Sequence, residues 1–316
     1  MPAASGDAFG WKALAAVAVT LVFWSSAFVG IRAGLAGYEA GHLALLRFLT
    51  ASAVLGTMAV AKGLRPPPLR EVPTLFLHGF LGFTVYHAAL NYGERTVSAA
   101  SACFLIVAIP VFTALLAVVF LGERLKRRAV AGILVAVVGV GVISLGESGG
   151  LGFDWGVLLV LLAALSESVF MILQKPWLKR YSALEYVTWT AMAGTVFLLF
   201  WAPGLWTAVM SAPLSATVSG VYLGIGPAAI AYVTWAYALA RADVSKVVAA
   251  QYLLPPLTLV IGLVWLGEWP PWLALAGGAL ILLGVVLISA PDSLLRRLRL
   301  AGTHAPVPVE TPGDER

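Results

Sequence analysis

The chain has 316 residues, of which 60% are hydrophobic and 11% charged, with a mean hydropathy of +0.93. Soluble globular domains are about half apolar and a quarter charged, so this composition excludes a water-soluble globular protein. The formal net charge of +5 does not point to nucleic acid, because basic residues in a polytopic membrane chain ordinarily mark its cytoplasmic loops. Cys103 is the only cysteine and lies in an apolar run, so no disulfide framework forms within one chain.

From the amino end, Lys12 precedes an apolar stretch with some of the character of a signal peptide. The stretch is long, lacks a small-residue cleavage site and is followed by many more spans, so it reads as a retained first helix. Runs close to the roughly 20 residues that cross a bilayer fall at 13–33, 41–61, 73–93, 99–121, 128–146, 156–174, 184–203, 217–239, 247–267 and 272–290. These predict an all-α integral membrane protein of ten transmembrane helices joined by short loops. Residues 291–316, with Pro306, Pro308 and Pro312 among polar neighbours, read as a disordered cytoplasmic tail.

Charge fixes the predicted orientation. With the amino terminus inside, the inner segments carry Lys12; Lys62, Arg65 and Arg70; Arg124, Lys126, Arg127 and Arg128; Lys175, Lys179 and Arg180; Arg241 and Lys246; and Arg296, Arg297, Arg299 and Arg316. The outer loops hold only Arg32 and Arg95. Basic residues in short loops stay cytoplasmic, which predicts both termini inside. A missed or invented span would scramble this alternation from that point onward.

The sequence also matches itself at an offset of 145 residues: Tyr92 falls on Tyr237, Pro110 on Pro255, Thr113 on Thr258, Leu121-Gly122-Glu123 on Leu266-Gly267-Glu268, Gly132 on Gly277, Gly139 on Gly284 and Ile143-Ser144 on Ile288-Ser289. Near an offset of 142, the segment around Phe28 falls on that around Phe170. Each unit then has five helices, and an odd number obliges the second copy to enter from the opposite face. The expected organisation is one five-helix repeat in 1–150 and an inverted second in 151–290. Inverted repeats are common in secondary carriers, where two similar halves exchange conformations around a central site.

Phe23-Trp24-Ser25-Ser26-Ala27-Phe28, Leu46-Arg47-Phe48, and Pro110-Val111-Phe112 leading to Leu121-Gly122-Glu123, with the same spacing from proline to Gly-Glu in the second half, resemble the EamA family of the drug/metabolite transporter superfamily. The resemblance covers nearly all of 13–290. It implies a bacterial inner-membrane exporter of amino acids or related metabolites with a central cavity between the halves.

Charges at mid-membrane are costly and line cavities or find partners. Arg47 and Glu167 are the two candidates, about 7 Å apart along the membrane normal by helical rise. A zwitterionic substrate could bridge them; alternatively, Arg47 bonds backbone carbonyls and Glu167 is a satisfied buried carboxyl. Thr84, His87 and Asn91 share one face of the third span by their spacing, and a polar stripe there should meet protein or water. His87 aligns with Tyr232 and could relay protons or bond between helices. His78 reads as interfacial.

Trp24, beside Ser26, and Trp189, which aligns with Arg47, are aromatic candidates for the cavity wall, and Gln251 is a polar one. Pro110, Pro255 and Pro256 break helical hydrogen bonds and are either hinges or static kinks. Gly132, Gly139, Gly277 and Gly284 suggest a packing or homodimer face. No motif for metal, cofactor or nucleotide is present, so a substrate or ion gradient, with protons as the candidate ion, is expected to drive transport. The competing readings are a membrane acyl or glycosyl transferase, which would cluster acid-base groups near the interface, and a channel, which would present a ring of like groups.

Overall fold

The structure, a computed structural model, describes residues 10–121, 125–149, 154–242 and 244–289. Glu123 and the tail 291–316 lie outside the described residues. Among those described, every regular element is helical and there is no strand. In lipid the reason lies in the backbone: an N–H or C=O facing hydrocarbon has no water to bond, and an α-helix satisfies both within one segment.

The order is α1 (Trp11–Leu35), α2 (Ala40–Ala61), a 3-10 turn (Leu69–Glu71), α3 (Val72–Gly79), a π turn (Phe80–Val85), α4 (Tyr86–Gly93), α5 (Ala99–Ile106), α6 (Ile109–Leu121) and α7 (Arg127–Glu147). It continues with α8 (Trp155–Trp177), α9 (Ala183–Leu198), α10 (Leu205–Ser211), α11 (Leu214–Leu223), a second π turn (Gly224–Ile230), α12 (Ala231–Leu239), α13 (Val244–Ala249), a 3-10 turn (Ala250–Leu253), α14 (Leu254–Leu266) and α15 (Trp272–Ser289).

Nine helical stretches among the described residues are long and apolar enough to cross a membrane. The predicted window 73–93 is helical from Val72 through Gly93, but its His78, His87 and Asn91 keep it out of that set. The short α10, with Trp206 exposed, occupies a stretch between two predicted spans that reads from its residues as a loop.

Start signals are local. Ser182 and Glu185 cap α9 reciprocally, and the Asp154 side chain accepts from the Gly156 N–H at the head of α8. Proline and 3-10 breaks interrupt the helices at matching places: α5 stops at Ile106, just before Pro110, and the turn at Ala250–Leu253 precedes Pro255 and Pro256.

Helix α1 packs on α11, α12 and α14, α8 on α4, α5 and α6, and α2 on α9. The tightest seam is between α7 and α15, which run antiparallel. A methyl group placed on Gly139 would lie 2.6 Å from the Gly277 carbonyl oxygen, and one on Gly277 would lie 2.5 Å from that of Gly139. Gly132 and Gly284 oppose one another in the same way. The four glycines therefore work within the chain, where only a hydrogen side chain lets the backbones meet.

Gly139→Val is expected to cost about 1–3 kcal/mol, the usual range for overpacking a filled contact. Gly141→Val, where no heavy atom lies within 4 Å, should be neutral. Melting temperatures in detergent should fall for the first and hold for the second.

Candidate functional site

A cavity of about 40 Å³ sits where the interrupted helices converge. Trp24, Ala27 and Phe28 line it from α1 at spacings of three and four, Arg47 from α2, Tyr86, His87 and Leu90 from α4, and Glu167 and Met171 from successive turns of α8. Ile106, Val107 and Ile109 reach it from the break between α5 and α6, Tyr232 from α12, and Gln251 and Leu254 from the turn before Pro255. Six residues expected from sequence thus meet in one place: Trp24, Arg47, His87, Glu167, Tyr232 and Gln251.

The cavity wall is aromatic and its polar groups are underused. Trp24 meets Tyr232 edge-on and Trp235 at a tilt, at ring separations of 5.4 and 5.0 Å, and His87 lies 4.6 Å from the Phe48 ring. Tyr232 Oη and His87 Nε2 are 3.3 Å apart, so the pair that aligns at offset 145 also meets in space. Arg47 is 2% exposed and Glu167 4%. Arg47 Nε and Nη1 and Glu167 Oε2 have no hydrogen-bond partner, and no salt bridge joins the two among the described residues. Buried polar atoms are normally satisfied, so these three are available to something that enters.

Four candidates lie elsewhere. Ser26 Oγ is 2.6 Å from Tyr222 Oη, Thr84 donates to the Gly194 carbonyl at 2.9 Å, and the Asn91 amide donates to the Ala40 carbonyl at 3.2 Å. Trp189 faces a groove with Pro67, Val72 and Phe76 instead of the cavity. His78, expected at the interface, is 1% exposed, with Nδ1 2.8 Å from Tyr186 Oη.

Sequence reasoning missed Tyr86. Neighbours in an α-helix point about 100° apart, so choosing His87 set Tyr86 aside. The π turn at Phe80–Val85 ends immediately before it, widens the helix and re-aims the side chains of α4. Its counterpart at Gly224–Ile230 does the same before Tyr232.

Charged contacts close both ends of the bundle. At one end Arg32 Nε is 3.7 Å from Glu268 Oε2, and Arg32 Nη1 donates to the Glu94 carbonyl at 2.7 Å. At the other, Arg180 and Tyr181, between α8 and α9, both donate to Glu71, just before α3; the tyrosine bond is 2.5 Å. No motif in the sequence signals this pairing, whose partners are more than a hundred residues apart. The bond from Tyr181, with Arg180 beside it, holds the Glu71 carboxyl below its ordinary value. Burial and the same bond push the Tyr181 phenol up to about 12.

A family model described as the EamA-like transporter family matches residues 11–145 and again residues 154–290. The chain belongs to that family. Among proteins similar to this EamA member, one of Streptantibioticus cattleyicolor, named a probable terminal-alkyne amino-acid exporter, is 45% identical over 88% of this chain and 93% of its own length. The uncharacterized transporter YdfC of Bacillus subtilis is 41% identical over 83% and 86%. The aromatic amino acid exporter YddG of Ancylobacter novellus is 27% identical over 77% and 84%. A crystal structure with a TM-score of 0.61 and 24% identity, covering 91% of this chain and 99% of that one, shares the fold. Family membership and the apolar helices make the protein a multi-pass membrane transporter.

Because the Glu71 carboxyl is lowered on folding, its stabilisation is present above the ordinary value of 4.5 and is lost as pH falls through the lowered value. Glu71→Gln should therefore lower the melting temperature near neutral pH and flatten its decline in acid. Thermal unfolding across an acidic pH series measures both.

Proposed function

We propose that this EamA protein is a secondary transporter that exports small zwitterionic metabolites, amino acids or their derivatives, from the cell by alternating access. The observation that carries the reading is the cavity's charge arrangement: a guanidinium and a carboxyl, both buried, both with unused hydrogen-bonding atoms and not paired to each other. An amino acid completes both, its carboxylate on Arg47 and its ammonium on Glu167, while Trp24 and Tyr232 flank its side chain. The names of similar proteins, two of them amino-acid exporters, favour the same class.

A cavity of about 40 Å³ holds about three or four waters at roughly 10–15 Å³ of probe-occupied space each, so the site must widen to take an amino acid. The breaks at Pro110 and at Pro255 and Pro256 are the proposed hinges, since a helix that has lost hydrogen bonds there bends more easily.

Ten spans, with Val72–Gly93 as the third, two five-helix repeats in 1–150 and 151–290 and an inverted relation between them make up the proposed architecture. Three reciprocities support it. The glycines of α7 and α15 oppose one another with their roles exchanged, π turns precede both His87 and Tyr232, and helix breaks precede both Pro110 and Pro255. Both termini are proposed to lie in the cytoplasm and the protein in the inner membrane, which makes the Arg32 end the outer one and the Glu71 end the inner one. The driving force is the proton gradient, with Glu167 and His87 as the titratable groups of the site.

Proteoliposomes holding the purified protein and challenged with radiolabelled leucine, phenylalanine and propargylglycine, with and without a pH gradient, test this directly. Saturable, gradient-dependent flux of at least one is expected. Losing a charge-assisted hydrogen bond costs about 1.5–3 kcal/mol, so Glu167→Gln should weaken apparent affinity about ten- to a hundredfold and alter the pH profile. Unchanged flux with an unchanged pH profile would remove Glu167 from the mechanism, and no flux of any amino acid would remove the substrate class.

A further inference from the structure

One face of α4 continues past the cavity toward the Arg32 end. His87, Asn91 and the capping residue Glu94 are spaced four and three apart and so lie in line, over roughly 10 Å at 1.5 Å per residue. His87 is 1% exposed, and Asn91 and Glu94 are 0%. Each carries an atom with no partner among the described residues: His87 Nδ1, Asn91 Oδ1 and both carboxyl oxygens of Glu94. Packing alone does not leave such a row, because buried polar atoms are satisfied by protein or by ordered water.

The groups around Glu94 sharpen the point. Arg32, from the end of α1, spends its Nη1 on the Glu94 backbone carbonyl and its Nε on Glu268 from the turn before α15. Arg47, which lines the cavity from α2, acts on Glu94 electrostatically. The other acids nearby are engaged: Asp154 Oδ1 accepts from the Gly156 N–H and Thr96 Oγ1, Glu147 is held by Ser98, and Glu39 pairs with Arg95 at 3.4 Å. Of these acids Glu94 alone is left bare, between a partly exposed ion pair and the central site.

We propose that the His87, Asn91 and Glu94 face is a hydrated proton passage, with Glu94 as its outer proton-binding group. A proton from outside water binds a Glu94 carboxyl oxygen. A water beside Asn91 then takes that proton and gives up one of its own to the His87 imidazole, which passes a proton on to cavity water, so one proton moves inward and each carrier returns to its starting form. Arg32 and Arg47 favour release, since an approaching guanidinium stabilises the carboxylate. The proposal rests on the proton-driven reading above, but its test needs no transported substrate.

Cys103 is the only cysteine and is buried, so introduced thiols report alone. In reconstituted protein, Asn91→Cys should react with a membrane-impermeant methanethiosulfonate from the same side as Trp272→Cys, a 74% exposed position at the same end. Infrared spectra over a pH series should show a protonated-carboxyl band that Glu94→Gln removes and Glu167→Gln leaves. If Asn91→Cys does not elute as folded protein, Glu94→Cys replaces it. A thiol unreactive from that side while Trp272→Cys reacts, or a Glu94→Gln spectrum matching the wild type, would overturn the passage. Absence of amino-acid flux would sink the transport reading and leave both of these readouts standing.

Discussion

A guanidinium sits inside a helical bundle whose surroundings are hydrocarbon, and much of the interior is arranged to make that tolerable. Arg47 is almost fully buried, and a charge at that depth is stable only beside aromatic faces, dipoles, counter-charges or water. Phe48 offers its ring at 5.7 Å, and Tyr86, His87, Glu167 and Tyr232 share its cavity. These neighbours come from α2, α4, α8 and α12, so holding one cation draws together helices from both halves of the chain. A helix that lost its place would expose the charge to lipid.

Much of the irregular backbone borders the same region, although 3-10 turns at Leu69–Glu71 and Leu199–Trp201 lie away from the cavity. Long helices such as α7 and α15 are unbroken, whereas the two π turns, the 3-10 turn at Ala250–Leu253 and the break after Ile106 all border the cavity or the helices that line it. Lipid does not permit unpaired backbone groups, but a protein-lined cavity does. The deviations beside the cavity thus put loosened carbonyls and re-aimed side chains where they can serve a ligand or bend under one.

Much of this was legible in the sequence because lipid imposes simple rules. Apolar windows located the helices to within a few residues, as in 13–33 against Trp11–Leu35, and the mid-membrane charges Arg47 and Glu167 led to the cavity. What was lost depended on register. Thr84, His87 and Asn91 read as one stripe, yet Thr84 bonds the Gly194 carbonyl, Asn91 bonds that of Ala40 and only His87 reaches the cavity. The π turn at Phe80–Val85 holds Thr84 and so shifts it from the α4 face that carries His87 and Asn91; no proline announces that turn, whereas its counterpart in the second half contains Pro227, which lacks a donor. Trp189 was chosen by alignment with Arg47, and alignment fixes position along a helix but not the direction a side chain takes. The Glu71 contacts with Arg180 and Tyr181 were invisible because long-range pairing has no sequence period.

The glycine seam between α7 and α15 contributes no residue to the cavity. The facing carbonyl oxygens there leave no room for even a methyl group on these glycines, which leaves little slack for one helix to slide along the other. Under the proposed alternating access, this junction would stay in register and serve as an axle, with a few degrees of tilt there becoming ångströms of opening at the far ends.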